Sequence, residues 1–181
     1  MPFKYYGGVH PDYAKTASKT PVRTISPPSV VVLPMIQQIG APNKPIVSVG
    51  DTVKTGQLIG TNDAPVSAPV HASVSGKVIA VEPRRHMLGD MVMSVVIEND
   101  FQDTPCEDMK PLTAEQLKDP DAIIARIREA GVVGMGGAMF PTAFKIQGTR
   151  GKVDTLIING AECEPYLCGD HRTMLEHPEE L

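Results

Sequence analysis

Between residues 30 and 98 the apolar positions fall into short β-branched runs broken by turn residues. The runs are Val30–Leu33, Ile46–Val49, Leu58–Gly60, Val74–Val81 and Val92–Ile97. With Gly50-Asp51 and Ser75-Gly76 as turn signals, they predict short, closely spaced strands and hence a small sandwich or barrel. Residues 1–29 precede this stretch and hold Pro2, Pro11, Pro21, Pro27 and Pro28. Proline at that density disfavours helix and predicts an extended arm lying over another part of the protein. Residues 99–120 follow it. There Asp100, Asp103, Glu107, Asp108, Glu115 and Asp119 outnumber Lys110 and Lys118, and the segment reads as a solvated acidic connector.

From residue 121 the period changes. Asp119-Pro120 has the form of a helix N-cap followed by proline at the first helical position. Ile123, Ile124 and Ile127 then repeat at helical spacing, and Gly131 is placed to end the helix in the left-handed conformation. Ala143–Ile146 predicts a second short helix and Asp170–Glu176 a third. Between them, Val153–Ile158 is an apolar run of the kind that forms a buried parallel strand. Such a strand needs neighbours, so this region reads as an α/β domain cut short. The expected organisation is a multi-domain α+β chain: an arm over residues 1–29, an all-β module over 30–98, a connector over 99–120, and the beginning of an α/β domain over 121–181.

Composition narrows the function classes. Hydrophobic residues make up 41% of the chain but aromatics only 4%, so a core must be built from Val, Ile, Leu, Ala and Met. A net charge of −4 with no long basic run argues against nucleic acid as a partner. No stretch approaches the roughly 18–20 apolar residues that span a bilayer, and the N-terminus lacks a signal-peptide core. A cytoplasmic chain is expected, with any membrane role exercised through partners. The three cysteines, Cys106, Cys163 and Cys168, suit a reducing compartment better than a disulfide framework. Cys163, Cys168 and His171 offer three zinc ligands without a fourth nearby, so no metal site is expected.

The β module has a recognisable pattern. Val47–Ile59 and Val66–Val78 resemble the two halves of a biotinyl/lipoyl-type barrel-sandwich hybrid, in which Gly and Asp close tight turns while Val and Ile fill a thin sandwich. A carrier domain of that type presents a lysine at its hairpin tip. Gly60–Val70 reads GTNDAPVSAPV and has none, which favours a scaffold over a biotin or lipoyl carrier. His71 lies in the alternating run and reads as a packed or hydrogen-bonded histidine.

Two elements in the second half carry candidate chemistry. Gly134, Gly136 and Gly137 lie between two helical segments. Glycines there let the backbone approach a flat or phosphorylated ligand, and a following helix N-terminus favours an anion. Lys145, about two turns further on, adds a cation. No Gly-Lys-Ser/Thr follows, and the spacing is not the dinucleotide fingerprint. Alone, the loop is equally a glycine-rich connector. The second element is the run Thr155–Ile158 leading into Asn159-Gly-Ala-Glu-Cys-Glu-Pro165. Ligands of open α/β sheets sit beyond strand carboxyl ends. Asn159 both donates and accepts, which suits an isoalloxazine or ribityl chain. Glu162 and Glu164 suit ribose hydroxyls or a nicotinamide amide. The plainer alternative is a capped helix start with solvated glutamates; the glycine loop upstream tips the reading towards a site.

GMGGAMFPT (134–142), NGAECEPYLCGDHR (159–172) and HPEEL (177–181) resemble the C subunit of the Rnf electron-transport complex. The first two motifs resemble, more distantly, the NADH-binding flavoprotein subunit of respiratory complex I. Gly7-Gly8-Val9-His10-Pro11 with Lys15, and the barrel-sandwich module, match the Rnf subunit. HPEEL and the ECEP run favour it over the A subunit of the sodium-pumping NADH–quinone reductase. The resemblance spans nearly the whole chain. It implies a peripheral subunit on the cytoplasmic side of the cell membrane, within an ion-translocating complex. Such a protein passes electrons between NADH, FMN and 4Fe-4S clusters, with ferredoxin as redox partner and other subunits of the complex as neighbours. The clusters are expected in a downstream part, because no Cys-x-x-Cys-x-x-Cys run occurs here. The flavin performs the hydride chemistry and the protein supplies position and electrostatics, so no catalytic side chain is expected. By the same resemblance Gly134, Gly136, Gly137 and Ala138 line the flavin, and Phe140 stacks near the nicotinamide or adenine. Lys145, Asn159, Glu162 and Glu164 supply polar contacts. The chain departs from the family at Met139, where glycine is usual, and Ala161 stands where the complex I flavoprotein has aspartate. A bulky Met139 supports a second reading, a non-catalytic docking scaffold with a degenerate flavin site.

Overall fold

The computed structural model describes residues 7–8, 11–135, 137 and 139–180. They divide into two compact units: Pro27–Asp154, and a second made from the residues up to Ser26 together with those from Thr155 onward.

Within the first unit the β-branched runs pair into two antiparallel sheets. The strands are β1 (Val30–Pro34), β2 (Lys44–Pro45), β3 (Thr52–Val53), β4 (Leu58–Thr61), β5 (Val70–His71), β6 (Gly76–Arg85) and β7 (Met91–Asn99). One sheet has the order β1-β7-β6-β3 and the other β2-β4-β5. The sandwich core is Met35, Val53, Ile59, Val70, Ala72, Val78, Val95 and Ile97. It contains no aromatic ring, as the composition requires. A bulge between Val78 and Ala80 shifts the β6–β7 register, so Val78 faces Ile97 while Ala80 faces Val96. The central strand β7 consequently buries four consecutive residues, Ser94 to Ile97. The buried Asn43 is matched, its Nδ2 donating to the carbonyls of Met35 (3.2 Å) and Ala68 (2.8 Å), whereas Gln38 Nε2 is buried without a hydrogen-bond partner among the described residues. The Ser75 hydroxyl donates to Asp100 Oδ1 at 2.7 Å, and this bond is the main reason the Asp100 carboxyl lies below its ordinary range.

Two expectations need correction. Ile46–Val49 is not a strand; the pairing lies at Lys44–Pro45, and Ile46 and Val49 are exposed. Gly50 takes φ +100° and Asp51 Oδ2 accepts from Ser48 N at 2.8 Å, so the turn begins inside the apolar run. Nor does Val153–Ile158 form a strand: Leu156 and Ile157 are 84% exposed and Ile158 78%. A buried parallel strand is made by its neighbours, and both sheets of the described residues are antiparallel and belong to the barrel.

The acidic segment after β7 runs along the barrel. Thr55 N donates to the Thr104 carbonyl (2.9 Å), Cys106 N to the Thr55 carbonyl (2.8 Å), and Thr55 Oγ1 to Asp103 Oδ1 (2.8 Å). Lys54 pairs with Glu107.

Helix α1 (Pro120–Glu129) starts where its cap predicts: the Asp119 carboxylate accepts from Asp121 N at 2.9 Å. It ends at Gly131, whose φ is +67° and whose added Cβ would lie 2.6 Å from the Pro69 carbonyl oxygen. Asp119→Ala is expected to cost about 1 kcal/mol through the lost cap. Gly131→Ala is expected to cost more, roughly 1–2 kcal/mol from the left-handed backbone alone. Urea denaturation of the two variants checks the order. Helix α2 (Thr142–Thr149) follows the glycine loop.

In the second unit the proline-rich arm packs on helix α3 (Gly169–Glu176). Val22 N donates to both Glu176 carboxylate oxygens (3.1 and 3.2 Å), Arg172 Nη1 to the Ser18 carbonyl (3.3 Å), and Arg172 pairs with Glu176. The Arg172 hydrogen bond, followed by that from Val22, holds the Glu176 carboxyl below its ordinary range.

Candidate functional site

The glycine loop joins α1 to α2 and is closed at its base. Gly134 N donates to the Phe140 carbonyl (3.0 Å), Thr142 N to the Val132 carbonyl (3.0 Å), and Val133 and Pro141 form an isolated antiparallel bridge. A side chain at Gly134 would stand 3.7 Å from Phe140 N, ordinary contact distance. Further along, the backbone turns left-handed twice, at Gly137 (φ +57°) and at Met139 (φ +49°). Glycine adopts that conformation freely, whereas methionine bears a cost of roughly 1–2 kcal/mol. Gly136 and Ala138 lie outside the described residues. The tip is open: nothing lies within 4 Å of a Cβ added at Gly137, and Met135 is exposed. Phe140 is half-buried and meets Phe144 of α2 edge-on, with ring centroids 5.8 Å apart. Lys145 is exposed on the first turn of α2.

The other predicted residues belong to the second unit. Asn159 Oδ1 accepts from Ala161 N at 2.9 Å, a local turn of the kind asparagine favours. Glu162 Oε1 accepts from His171 N at 3.1 Å and so caps the start of α3, where a carboxylate also suits the helix dipole. This is the plainer of the two readings open for Glu162. Glu164 is exposed. The structure thus groups Gly134, Gly137, Phe140 and Lys145 in one unit, and Asn159, Glu162 and Glu164 in the other. Cys163 is exposed and Cys168 buried. Among the described residues no group of three or more His, Cys, Asp and Glu could hold a metal ion.

The loop fits FMN in kind. A flat ring needs backbone free of Cβ atoms, and the left-handed Gly137 with open space around it provides that. A phosphate needs N–H donors and positive charge, and α2 begins at Thr142 with Lys145 in its first turn. Among the loop's described residues, Met139 is the one side chain placed where the backbone favours glycine.

His71 lies beneath the end of α1, its Nδ1 3.5 Å from the position of a Cβ added at Gly131. It lines a cleft of about 460 Å³ with Gly56, Leu58, Met109, Arg126 and Glu129. Burial lowers its pKa below 6.5, opposed by a hydrogen bond to the Glu129 backbone. The folded state therefore binds this proton less readily than the unfolded chain. Above about pH 6.5 both states are neutral there and the contribution is constant; as pH falls below that value stability is lost. His71→Gln is expected to flatten this acid limb in urea midpoints taken between about pH 5 and 7.5. An unchanged limb would refute the assignment.

Comparison with known proteins places these features. A family model described as the RnfC barrel sandwich hybrid domain matches residues 3–102. The chain belongs to the RnfC family. A second model, the Nuo51 FMN-binding domain, matches residues 127–181. The architecture is thus a barrel-sandwich hybrid followed by a region that matches an FMN-binding domain, with the glycine loop and Asn159–Pro165 both in that region.

The chain is 49% identical over 179 residues to the C subunit of the Na(+)-translocating ferredoxin:NAD(+) oxidoreductase complex of Acetobacterium woodii, covering 98% of this chain and 40% of that one. It is 44% identical over 180 residues to the C subunit of the proton-translocating ferredoxin:NAD(+) oxidoreductase complex of Clostridium ljungdahlii, covering 98% and 39%. It is also 44% identical over 184 residues to the C subunit of the ion-translocating oxidoreductase complex of Rhodobacter capsulatus, covering 99% and 35%. The chain therefore spans about two fifths or less of the length of these relatives. No helix of the described residues is long and apolar enough to cross a membrane.

Proposed function

We propose that the chain forms the N-terminal part of an electron-transfer subunit in a membrane-associated, ion-translocating complex, and that it contributes one wall of an FMN site. The reading rests chiefly on the glycine loop, which lies inside the segment matched by the FMN-binding model and has left-handed backbone at Gly137 and Met139. In it, Gly134, Gly136, Gly137 and Ala138 bring backbone against the isoalloxazine. Lys145 and the α2 N-terminus hold the phosphate, and Phe140, braced by Phe144, stacks near the nicotinamide or adenine. Asn159, Glu162 and Glu164 supply further polar contacts. Asn159 would do so through Nδ2 and Glu162 through Oε2, the groups their local hydrogen bonds leave over. When bound, the flavin accepts hydride from NADH and releases electrons singly.

The 4Fe-4S clusters belong to the remainder of the subunit, and ferredoxin and the other subunits are its partners, as the names of two relatives suggest for those proteins. We place the protein peripherally on the cytoplasmic side of the membrane. The functional division follows the arm over 1–29, the barrel over 30–98, the acidic segment over 99–120 and the flavin region over 121–181. With one wall of the site, this stretch of chain by itself is inactive.

The test uses the full-length protein. It is expected to take up FMN with a visible flavin band and to oxidise NADH; protein that takes up no flavin and shows no absorbance change would overturn the reading.

Met139 supports the second reading, a docking scaffold with a degenerate flavin site. Met139→Gly in the full-length protein separates the two. A site merely narrowed by methionine gains flavin affinity, by an expected roughly tenfold for about 1.4 kcal/mol. A scaffold shows no gain.

A further inference from the structure

The β6–β7 hairpin extends past the barrel. Strand β1 follows β7 only to Ser94, with one further bond from Met35 N to the Met93 carbonyl at 2.8 Å. Beyond that point the described residues give Arg84↔Val92 and Arg85↔Met91 no third strand. A two-stranded ribbon alone is marginally stable in water. This one also carries apolar side chains into solvent: Met87 is 87% exposed, Leu88 81%, Met91 64% and Met93 42%. Its turn is nonetheless well defined. His86 N donates to the Asp90 carbonyl (2.8 Å), Gly89 N to the His86 carbonyl (2.9 Å) and Leu88 N to His86 Nδ1 (3.3 Å).

The charges on the ribbon choose among occupants. Arg84 pairs with Glu82 at 2.6 Å. Among the described residues Arg85 has no ion-pair partner, and it shares a face with Met91, its partner in register, and with Pro83 and Met93. Burying that face alone would strand a guanidinium, so the occupant must bring an acceptor. A second copy docked tip to tip would set Arg85 against Arg85. An anionic bilayer gains only about 1 kcal/mol per basic residue, and the ribbon offers one unpaired arginine beside Asp90. Met and Arg around a small apolar centre is the composition of a protein–protein contact.

We propose that the tip of the β6–β7 ribbon, with Met87, Leu88, Met91 and Met93 around Arg85, docks into an apolar recess on another subunit, where a carboxylate faces Arg85. The inference goes beyond the flavin reading and rests on the assembly reading only for its choice of partner.

The experiment measures binding of the full-length chain to the purified remaining subunits of the complex. The variants are Met87→Ser with Leu88→Ser, Arg85→Glu, and Arg85→Lys. The double variant and Arg85→Glu are expected to weaken binding roughly tenfold or more, as hot-spot losses do, and Arg85→Lys much less. FMN uptake and thermal midpoint are expected to stay at the wild-type level in all three. Binding unchanged in the double variant and in Arg85→Glu overturns the proposal. So does wild-type co-sedimentation with phosphatidylglycerol vesicles that the variants abolish, which assigns the tip to a bilayer. A wild-type dimer that the variants dissociate also overturns it. If the wild-type chain does not join the remaining subunits at all, the assembly reading falls and takes this one with it. If wild type and variants join equally well, only the ribbon proposal falls.

Discussion

Ile97→Ala is expected to lower the unfolding free energy of the Pro27–Asp154 unit by about 2–5 kcal/mol. Ile97 is fully buried in the middle strand, registered with Val31 on one side and Val78 on the other. Its removal leaves a cavity bordered mainly by valines, which are stiff at χ1 and cannot swing in to fill it. A small domain holds only about 5–15 kcal/mol in total, so the loss is a large share. Ile79 on the same sheet is 41% exposed, and Ile79→Ala is the matched control. Its cost is expected within about 1.5 kcal/mol, since less apolar surface leaves water on folding. Urea denaturation of both variants is the measurement. Equal losses would show that Ile97 is not the keystone its burial implies.

The strands around Ile97 were legible because long β-branched runs pair along most of their length. Val30–Leu33 and Val92–Ile97 sit inside β1 and β7. The strands Thr52–Val53 and Val70–His71 were not predicted as separate elements, since two residues carry too little pattern. Thr52–Val53 pairs with Gly76-Lys77 directly after the turns signalled by Gly50-Asp51 and Ser75-Gly76, whereas Val70–His71 pairs with Leu58 and Gly60 in the other sheet. Helix α1 was legible at both ends because its signals are local: a carboxylate cap, a proline and a left-handed glycine. Val153–Ile158 failed because a strand there depends on neighbours that the pattern of one run cannot supply. At the site, the residue types of Asn159 and Glu162 were visible but their local partners, Ala161 N and His171 N, were not. Met139 is the converse case. Comparison with the family's motif marked it as unusual, and its φ of +49° supplies the physical reason glycine suits the position.

Gly137→Val in the full-length protein is expected to weaken FMN binding by about five- to thirtyfold while leaving the barrel intact. Valine at φ +57° is an outlier conformation, and reverting to negative φ redirects the chain at the tip of the loop. The cost of holding the left-handed form, about 1–2 kcal/mol, is what the flavin must supply to bind, and 1.4 kcal/mol is a factor of about ten. The barrel is spared because no atom lies within 4 Å of the new Cβ, so there is nothing for it to strike. Gly137→Ala should fall between valine and wild type. Met139→Gly works in the opposite sense for a separate reason. It relieves the left-handed strain, but glycine's extra freedom in the unfolded chain, worth roughly 0.5–1 kcal/mol, offsets most of that gain in stability. Its signature is therefore tighter flavin binding with a nearly unchanged thermal midpoint. Titration of FMN fluorescence against each variant reads these effects. Wild-type affinity in Gly137→Val, beside an unchanged Met139→Gly, would move the flavin off this loop and leave the scaffold reading in its place.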